Sequence, residues 1–526
     1  MLPSFASSYD QIPYPARPFA ETHPDRLAAI GMLFGMQVPP IDHCRVLELG
    51  CARGGNLIPM AEQLPGSQFI GIDLSPVQIA EARGLAEDAG LKNAQFHCMD
   101  ILDFGAAFGE FDYIICHGVF SWVSRQVQDK ILEICASRLM PQGVAYVSYN
   151  TYPAWHTRGM IRDMMCYHVS HVTDSQARIR EARSLLEFLV QSTPEDSPYV
   201  ALLRSEAQAL RSKEDGYLFH DELEEINVPI YFAQFAARAE AKGLQYLAEA
   251  DLSSMWRRNL PAGTDEWLER TTTNLIQREQ YIDFVRNRAF RKTLLCHREV
   301  RVDRELRPDS LGRFYVAAPL APSDRSIDLC DSSPMKLQHL PSKQDLVAKT
   351  PLWKGMLLAL AEAWPGNVPF SQLASTARMR AGLDQVTDMD HLHREKCLVG
   401  KSILEMHLSG LVELQAAPSC CCTQLSERPV ARRLARLQAV SGNCVTNLRH
   451  QLVMVGDLAR HLLPHLDGSM DRAGLQNIAD RFVKDRLVAV PAGVQLDAQD
   501  QDRQAACNGG LDESLRELAR AALLTG

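Results

Sequence analysis

The segment Arg45-Val-Leu-Glu-Leu-Gly-Cys-Ala-Arg-Gly-Gly-Asn56 constrains this chain more than any other part of it. An apolar run enters a loop of small residues, and residues 57–64 continue with helical spacing. Small residues let a backbone turn tightly and approach a ligand closely. The start of the helix adds unpaired N–H groups and the positive end of a dipole. A strand feeding such a loop and then a helix is the opening unit of a parallel α/β sheet.

Further strands follow at the spacing such a sheet needs. Residues 68–72 (QFIGI), Ala94–Cys98 (AQFHC), Phe111–Cys116 (FDYIIC) and 144–149 (VAYVSY) are short β-branched or aromatic runs, and 76–90 and 127–139 carry helical periodicity between them. The expected fold is therefore α/β, a doubly wound Rossmann-like sheet. Residues 157–213 read as charged helices without strand signal, which predicts a helical insertion. Residues 244–250 and 311–318 (LGRFYVAA) are read as strands six and seven, so the core runs over 1–320. The Pro-, Ser- and Asp-rich stretch 321–341 reads as a linker. Three helical patterns closing on Gly-Leu-Val-Glu-Leu414 predict a winged-helix-like unit over 342–415. Residues 416–526 then form a C-terminal helical domain, whose last helix places Leu511, Leu515, Leu518 and Ala522 on one face. The C-terminal region is thus mainly helical and winged-helix-like.

Glycine spacing alone leaves two ligands open for the first loop. Gly50-x-Ala52-x-Gly54 suits S-adenosyl-L-methionine, and Gly50-x-Ala52-x-x-Gly55 suits a dinucleotide with alanine in one glycine place. Glu48 is awkward beside a pyrophosphate but useful beside a cationic amino-acid group. Asp100 closes the third strand, where it or Ile101 would meet an adenine. Asp73, followed by Leu74, ends strand two and is placed to accept ribose hydroxyls from either ligand. Together the acids favour S-adenosyl-L-methionine, held by Glu48, Gly50, Cys51, Ala52, Gly54, Asn56, Asp73, Leu74, Asp100, Ile101 and His117. A glycine-rich turn beside N-capping aspartates is the structural alternative.

ELGCARGGN, GIDLSPVQIAEAR and HGVFSWV resemble the class I S-adenosylmethionine-dependent methyltransferases that carry a methyltransferase regulatory domain. SYDQIPYPARPFAETHPDRLAAIGMLFG, YNTYPAWH, LFHDELEEINVPIYFAQFAARAEAKGLQYL and LDGSMDRAGL are similar to the same group. The resemblance spans nearly the whole chain and thins between about 319 and 352. The group includes the bacterial lysine methyltransferases that act on outer-membrane proteins in rickettsiae. The resemblance implies a class I methyltransferase fold, S-adenosyl-L-methionine as cofactor and a regulatory segment over 214–300. It also implies a protein substrate, with an outer-membrane protein precursor as the expected class. Ala154 departs from the expected Tyr-Pro-Gly-Trp.

Ligands of a doubly wound sheet lie at the carboxyl ends of its strands. His117-Gly-Val-Phe-Ser-Trp122 after strand four and Tyr149-Asn150-Thr-Tyr152-Pro-Ala-Trp155 after strand five should therefore face a transferred methyl group. Aromatic faces attract sulfonium and methylammonium cations, and the Asn150 carbonyl suits an acceptor amine. Tyr149, Asn150, Tyr152, Trp155, His117 and Trp122 are the candidate catalytic residues. Loop packing for Trp122 and Phe120, a structural hydrogen bond for His117 and an inward strand position for Tyr149 are the competing readings. Tyr9, Asp10 and Tyr14 precede the first helix and are placed to form a lid over the cofactor, or else a frayed arm.

Composition excludes several other classes. With 64 acidic against 55 basic residues the net charge is -9, which argues against a nucleic-acid partner. No apolar run approaches the roughly 20 residues that span a bilayer, so no membrane insertion is expected. The N-terminus lacks a secretory layout, which predicts a cytoplasmic protein with its 14 cysteines as free thiols. No metal is expected: Cys420-Cys421-Cys422 lacks zinc spacing, and His391, His393 and Cys397 read as diverging on one helix. A small-molecule methyltransferase and a winged-helix regulator that senses the cofactor without catalysis stay open beside the protein-lysine reading. If the C-terminal half only docks substrate, a chain ending near Pro341 should keep cofactor affinity.

Overall fold

The computed structural model describes residues 16–525 apart from 212, 258–259, 324–328, 330–332, 386–387, 423, 486 and 488–499. The expected lid residues Tyr9, Asp10 and Tyr14 fall outside the described residues. Seven strands form the central sheet: Arg45–Leu49 (β1), Gln68–Asp73 (β2), Ala94–Cys98 (β3), Phe111–Cys116 (β4), Leu139–Asn150 (β5), Leu244–Glu249 (β6) and Phe290–His297 (β7). Their order is β3-β2-β1-β4-β5-β7-β6. β1 to β5 are parallel, and β7 runs antiparallel to both β5 and β6.

The period-two alternation of a strand assigns each residue to one face. Tyr113 and Ile115 enter one apolar layer with Leu27, Leu57 and Ile79 from the helices Pro24–Leu33, Leu57–Gln63 and Pro76–Asp88. Ile114 and Cys116 enter the other with Ile131 and Phe235 from Arg125–Arg138 and Phe232–Ala241. The sheet is therefore covered on both faces, as a doubly wound fold requires.

The seventh strand is not the expected 311–318. Phe290–His297 fills that place, although Arg291, Lys292 and His297 interrupt its apolar pattern. Arg291 is nevertheless fully buried, because Glu249, Glu279 and Asp283 surround its guanidinium. Tyr315–Ala317 (β8) belongs to another sheet described below. Leu320–Pro322 (β9), Met335–His339 (β10) and Asp345–Ala348 (β11) make a three-stranded antiparallel sheet. This corrects the expected linker: Met335 and Leu337 point into the core between polar neighbours.

Helices Pro351–Ala363, Phe370–Arg380 and Met389–Leu408 follow in the expected places. The strand that closes them, Glu413–Gln415 (β13), pairs with β8, which also pairs with Val368–Pro369 (β12). The closing strand expected at Gly-Leu-Val-Glu-Leu414 thus pairs with a strand borrowed from before this unit. Leu357, Phe370, Ile403 and Leu414 share one continuous apolar core with Leu27 and Ile58, so the unit is packed onto the sheet. The inserted helices Ala154–His168, Ser175–Ser192 and Pro198–Arg211 have a small core of their own around Met165, Leu186 and Leu203.

At the C-terminal end a hairpin, Cys444–Thr446 (β14) with Leu452–Met454 (β15), joins several helices. Leu511, Leu515 and Leu518 of the last helix are buried there beside Val445, Leu462 and Leu475. Among the described residues no helix is long and apolar enough to cross a membrane.

Candidate active site

The winding of the sheet reverses between β1 and β4, which opens a crevice at their carboxyl ends. The loops on its two sides touch. A Cβ on Gly50, whose φ is +77°, would lie 2.4 Å from Val119 Cγ2, so only glycine fits there. Gly50 N and Cys51 N donate to Ile72 O at 2.9 and 3.0 Å, which ties the loop to β2. Asp73 ends β2 half-buried; its Oδ2 accepts from Ala52 N and its Oδ1 from Ser75 N, both at 2.9 Å.

Glu48 and Asn56 close the other side of the loop. Glu48 Oε1 accepts from Asn56 Nδ2 at 2.8 Å, while its buried Oε2 has no hydrogen-bond partner among the described residues. Burial, countered only by the Asn56 bond, pushes the Glu48 pKa up to about 8. The N-terminal segment crosses the same loop: a Cβ on Gly55 would meet Ala16 C at 2.7 Å, and Phe19 N donates to Asn56 Oδ1 at 2.9 Å.

Two further loops are stitched together at the ends of β4 and β5. Gly118 N donates to Ser148 Oγ and Asn150 N to Ser121 Oγ, each at 2.8 Å. A strand-like segment after the insertion joins them, with Val228 N donating to Ser121 O and Ile230 N to Asn150 O. Asn150 Nδ2 donates to Asn227 Oδ1 at 3.0 Å. Beside these loops, Tyr152, Trp155, His156, Met160, Asp163 and Tyr167 line a groove of about 800 Å³. Trp122 meets Trp155 edge to face, Arg158 lies 5.0 Å over the Trp155 ring, and Tyr152 stacks on His156.

Several of the expected cofactor residues are engaged within the protein. Asn56 spends its side chain on Glu48, Thr22, Phe19 and His450 and is 4% exposed. The space beside Gly54 is taken by Ile58 and Phe96, each 2.9 Å from an added Cβ, so this glycine serves close packing on β3. Cys51 is buried with its thiol against Gly71. Asp100 Oδ1 caps the following turn through Leu102 N at 2.8 Å, Ile101 is half-buried beside it, and Leu74 is exposed.

The expected acceptor residues also divide. Tyr146, Ser148 and Asn150 share the strand face that carries the bonds to His117 and Gly118. Tyr149 points to the opposite face, stacks on Phe235 and bonds to Thr293 Oγ1 at 3.0 Å, so it is a core residue rather than part of an acceptor pocket. His117 Nδ1 is engaged by Tyr146 OH at 2.8 Å, and Phe19 lies 3.7 Å over the ring. Burial pushes the His117 pKa down to about 4, which makes it a poor proton acceptor near neutral pH.

Phe19, Ser121, Ser148, Asn227, His450 and Tyr231, whose ring lies 5.0 Å from that of Tyr152 and whose hydroxyl is 3.0 Å from His156 Nε2, were missed by sequence reasoning. Asn227 and Tyr231 lie within the INVPIY stretch, which signalled a resemblance without signalling a role. His391 pairs with Glu395 and turns away from the others, but His393 and Cys397, expected to diverge, come together: His393 Nε2 and Asp309 Oδ1 each lie 3.5 Å from the Cys397 thiol.

Comparison with known proteins follows the same division of the chain. Residues 46–143 match the family described as "Methyltransferase domain", 214–297 "Predicted methyltransferase regulatory domain" and 427–523 "PKMT, C-terminal winged helix domain". The last lies where a helical domain was expected, not over 342–415. The chain is similar to PKMT2 from Rickettsia typhi, solved in complex with AdoHcy, with 31% identity and a TM-score of 0.88 over 98% of this chain and 100% of that one. An uncharacterized protein of Rickettsia prowazekii is 35% identical over 505 residues, 94% of this chain and 90% of that protein. A second uncharacterized protein of that organism is 42% identical over 241 residues, 46% of this chain and 96% of the relative.

Proposed function

This chain belongs to the S-adenosylmethionine-dependent methyltransferases that carry a methyltransferase regulatory domain and the PKMT type of C-terminal winged helix, and we propose that it methylates lysine amines of proteins. The observation that carries the lysine reading is the likeness, at nearly full length, to a protein named as a PKMT. The groove lined by Tyr152, Trp155, Met160, Asp163 and Tyr167 beside the β5 loop supports it, since its aromatic faces and one carboxylate suit a cationic side chain.

S-adenosyl-L-methionine supplies an electrophilic methyl group on a sulfonium. The residues present fit that cofactor: Glu48 keeps one carboxyl oxygen unpartnered among the described residues, where a cationic group would favour loss of its proton, and Asp73 stands half-buried at the end of β2 for ribose hydroxyls. Gly50 and Ala52 shape the loop between them, with Asp100 and Ile101 at the adenine end and His117 flooring the crevice. Two aspartate–hydroxyl bonds of this kind contribute roughly 1.5–3 kcal/mol each.

A lysine amine has an ordinary pKa of about 10.4 and must arrive neutral to attack. Trp122 and Trp155 exclude water from the loop ends, which disfavours the ammonium form. Asn150, its amide nitrogen held by Asn227, turns its carbonyl to the incoming amine, and Tyr152 forms the neighbouring wall. Domain assignments follow: 1–320 carries the chemistry, while the inserted helices and the regions from 342 onward shape and present the protein substrate. An outer-membrane protein precursor is the substrate class we favour.

Incubation with radiolabelled S-adenosyl-L-methionine and cell extract tests this reading. Label recovered as methyl-lysine after acid hydrolysis of protein supports it. Label confined to small molecules would replace it with a small-molecule methyltransferase.

A further inference from the structure

The C-terminal hairpin reaches the loop that follows β1. Its turn is shaped by Asn447, whose Oδ1 accepts from Arg449 N and Gln451 N at 3.0 and 2.9 Å and whose Nδ2 donates to Ala521 O at 2.9 Å. At the tip, His450 adopts a φ of +58°, a conformation that a side-chain-bearing residue keeps only where its surroundings hold it. Arg449 beside it provides that hold. Its Nη1 donates to Pro365 O at 2.8 Å, its guanidinium lies 4.3 Å over Trp364, and it pairs with Glu413.

The His450 ring is buried, 5.3 Å from His23, with Nε2 at 2.8 Å from Asn56 Oδ1. The direction of this bond follows from its neighbours. Asn56 Oδ1 accepts from Phe19 N, while Asn56 Nδ2 donates to Glu48 Oε1 at 2.8 Å and to Thr22 Oγ1 at 3.0 Å. The Thr22 hydroxyl donates to Phe19 O at 2.8 Å, with Asn56 Oδ1 a longer second acceptor at 3.2 Å. His450 must therefore donate through Nε2–H, which leaves Nδ1 unprotonated and, among the described residues, without a partner. Burial keeps the ring neutral, consistent with that tautomer. A phenylalanine would fill the same space without a desolvated nitrogen. The single bond to Asn56 is what a histidine adds there.

We propose that His450 is a positioning residue for the cofactor site, fixing Asn56 and through it the Glu48 carboxyl, so that the C-terminal domain completes a binding loop more than 390 residues earlier. This rests on the reading that Glu48 to Asn56 is the cofactor loop. Asn56 has one amide and must orient it one way: oxygen toward Phe19 and His450, nitrogen toward Glu48. Without the His450 donor, Asn56 loses one of the bonds that set this orientation, and Glu48 Oε1 loses a fixed partner. The unpartnered Oε2 is then no longer aimed. Docking of the C-terminal domain and cofactor affinity are in this way one event.

Calorimetric titration of the full-length protein with S-adenosylhomocysteine, combined with steady-state kinetics, separates donor from packing. His450→Gln keeps an N–H donor without the ring, and His450→Phe keeps the ring without the donor. The expected result is affinity within about threefold of the parent for His450→Gln and at least tenfold weaker for His450→Phe, with KM for the cofactor rising and kcat at saturation held. Met454→Ala, on the exposed side of the same hairpin, should match the parent. Equal weakening by both His450 variants, or parent affinity in both, overturns the proposal. If His450→Phe does not fold, His450→Ala takes its place with the same expectation. Asp73→Ala marks the separate case: parent affinity there means that the cofactor reading itself has failed, whereas a loss there with none in His450→Phe sinks only the positioning role.

Discussion

Arg291 holds both oxygens of Asp283, through Nε to Oδ2 at 2.8 Å and through Nη2 to Oδ1 at 2.9 Å, with neither side chain exposed. Glu249 Oε1 takes another guanidinium nitrogen at 2.5 Å and also accepts from Thr293 Oγ1, which in turn receives the Tyr149 hydroxyl. The edge pair β6 and β7 is thereby locked to the strand that carries Asn150.

Removing the guanidinium leaves three carboxylates buried together. Arg291→Met should cost about 3–5 kcal/mol, the usual consequence of breaking a buried ion pair from one side. Burial already pushes the Glu279 and Asp283 carboxyls up, so with Arg288, 3.0 Å from Asp283, as the remaining counter-charge they would take up protons more readily. The loss should therefore be larger at pH 8 than at pH 5. Thermal unfolding at both pH values checks this, and an unchanged Tm at pH 8 would mean that the cluster relaxes into solvent.

Asp73→Ala should weaken S-adenosyl-L-methionine binding at least tenfold by removing charge-assisted bonds. It also frees Ala52 N and Ser75 N, so some loss of loop order should accompany it. Gly54→Val should act differently from what spacing alone suggests. With φ at +72° and Phe96 and Ile58 already in contact, the added side chain should lower Tm before it touches any ligand. A well-folded Gly54→Val with lost affinity would instead place the cofactor directly against this glycine.

Much of this was legible in sequence, for identifiable reasons. Phe111–Cys116 lies in the centre of a parallel sheet, buried on both faces, and so reads as a nearly continuous apolar run interrupted only by the half-buried Asp112. Gly50 announces its positive φ by being glycine. Phe290–His297 was illegible because Arg291 and Lys292 look solvent-facing until Glu249, Asp283 and Glu21 are brought beside them. Residues 311–318 do contain a strand, but a local pattern cannot say which sheet it joins. Asn56 looked ligand-facing by its place in the loop, and bonds to Glu48, Thr22, Phe19 and, from the far end of the chain, His450 turn it inward.

Burial gives Glu48 a pH signature with a definite sign. The folded protein keeps a proton that an ordinary carboxyl releases near 4.5, because the Glu48 pKa stands at about 8. The stability from this group is complete below about pH 4.5 and is lost as pH rises toward about 8. Glu48→Gln cannot ionise, so its stability relative to the parent should increase across that window, by about 1.4 kcal/mol per pH unit at most. Parallel Tm curves between about pH 5 and 8, without cofactor, would show that Glu48 is already ionised in the folded protein.

A chain ending near Pro341 should not keep cofactor affinity, contrary to the modular expectation. It would lose Ala416 and Ala417, whose N–H groups bind the buried Asp25 carboxylate at 2.7 and 3.1 Å. It would also lose Leu434 N from Glu62 and His450 from Asn56, and it would open an apolar core shared with Leu357, Phe370 and Leu414. Aggregation or at least tenfold weaker binding is expected. A monodisperse truncation with parent affinity, by gel filtration and calorimetry, would restore the modular picture.

The β5 loop carries the most exposed prediction. Asn150 is held from two sides, by Ser121 Oγ on its backbone and by Asn227 on its amide nitrogen, so its carbonyl direction is set before any amine arrives. Asn150→Ala removes that acceptor, and Asn227→Ala should mimic it more weakly by letting the amide rotate. Trp155→Ala opens a wall that Trp122 and Arg158 complete. Each of the Asn150 and Trp155 changes should lower the methyl-transfer rate roughly a hundredfold, a few kcal/mol of transition-state stabilisation, while cofactor affinity stays near that of the parent. Tyr149→Phe should leave the rate nearly unchanged and act on stability, since its hydroxyl serves Thr293 on the opposite face. The rate should climb with pH until the bound amine is neutral, and Trp155→Ala should move that rise to higher pH by admitting water. Single-turnover methylation at saturating S-adenosyl-L-methionine isolates the step. Parent-like rates in Asn150→Ala and Trp155→Ala together would assign the loop to packing and return the search for the acceptor pocket to the residues between His117 and Trp122.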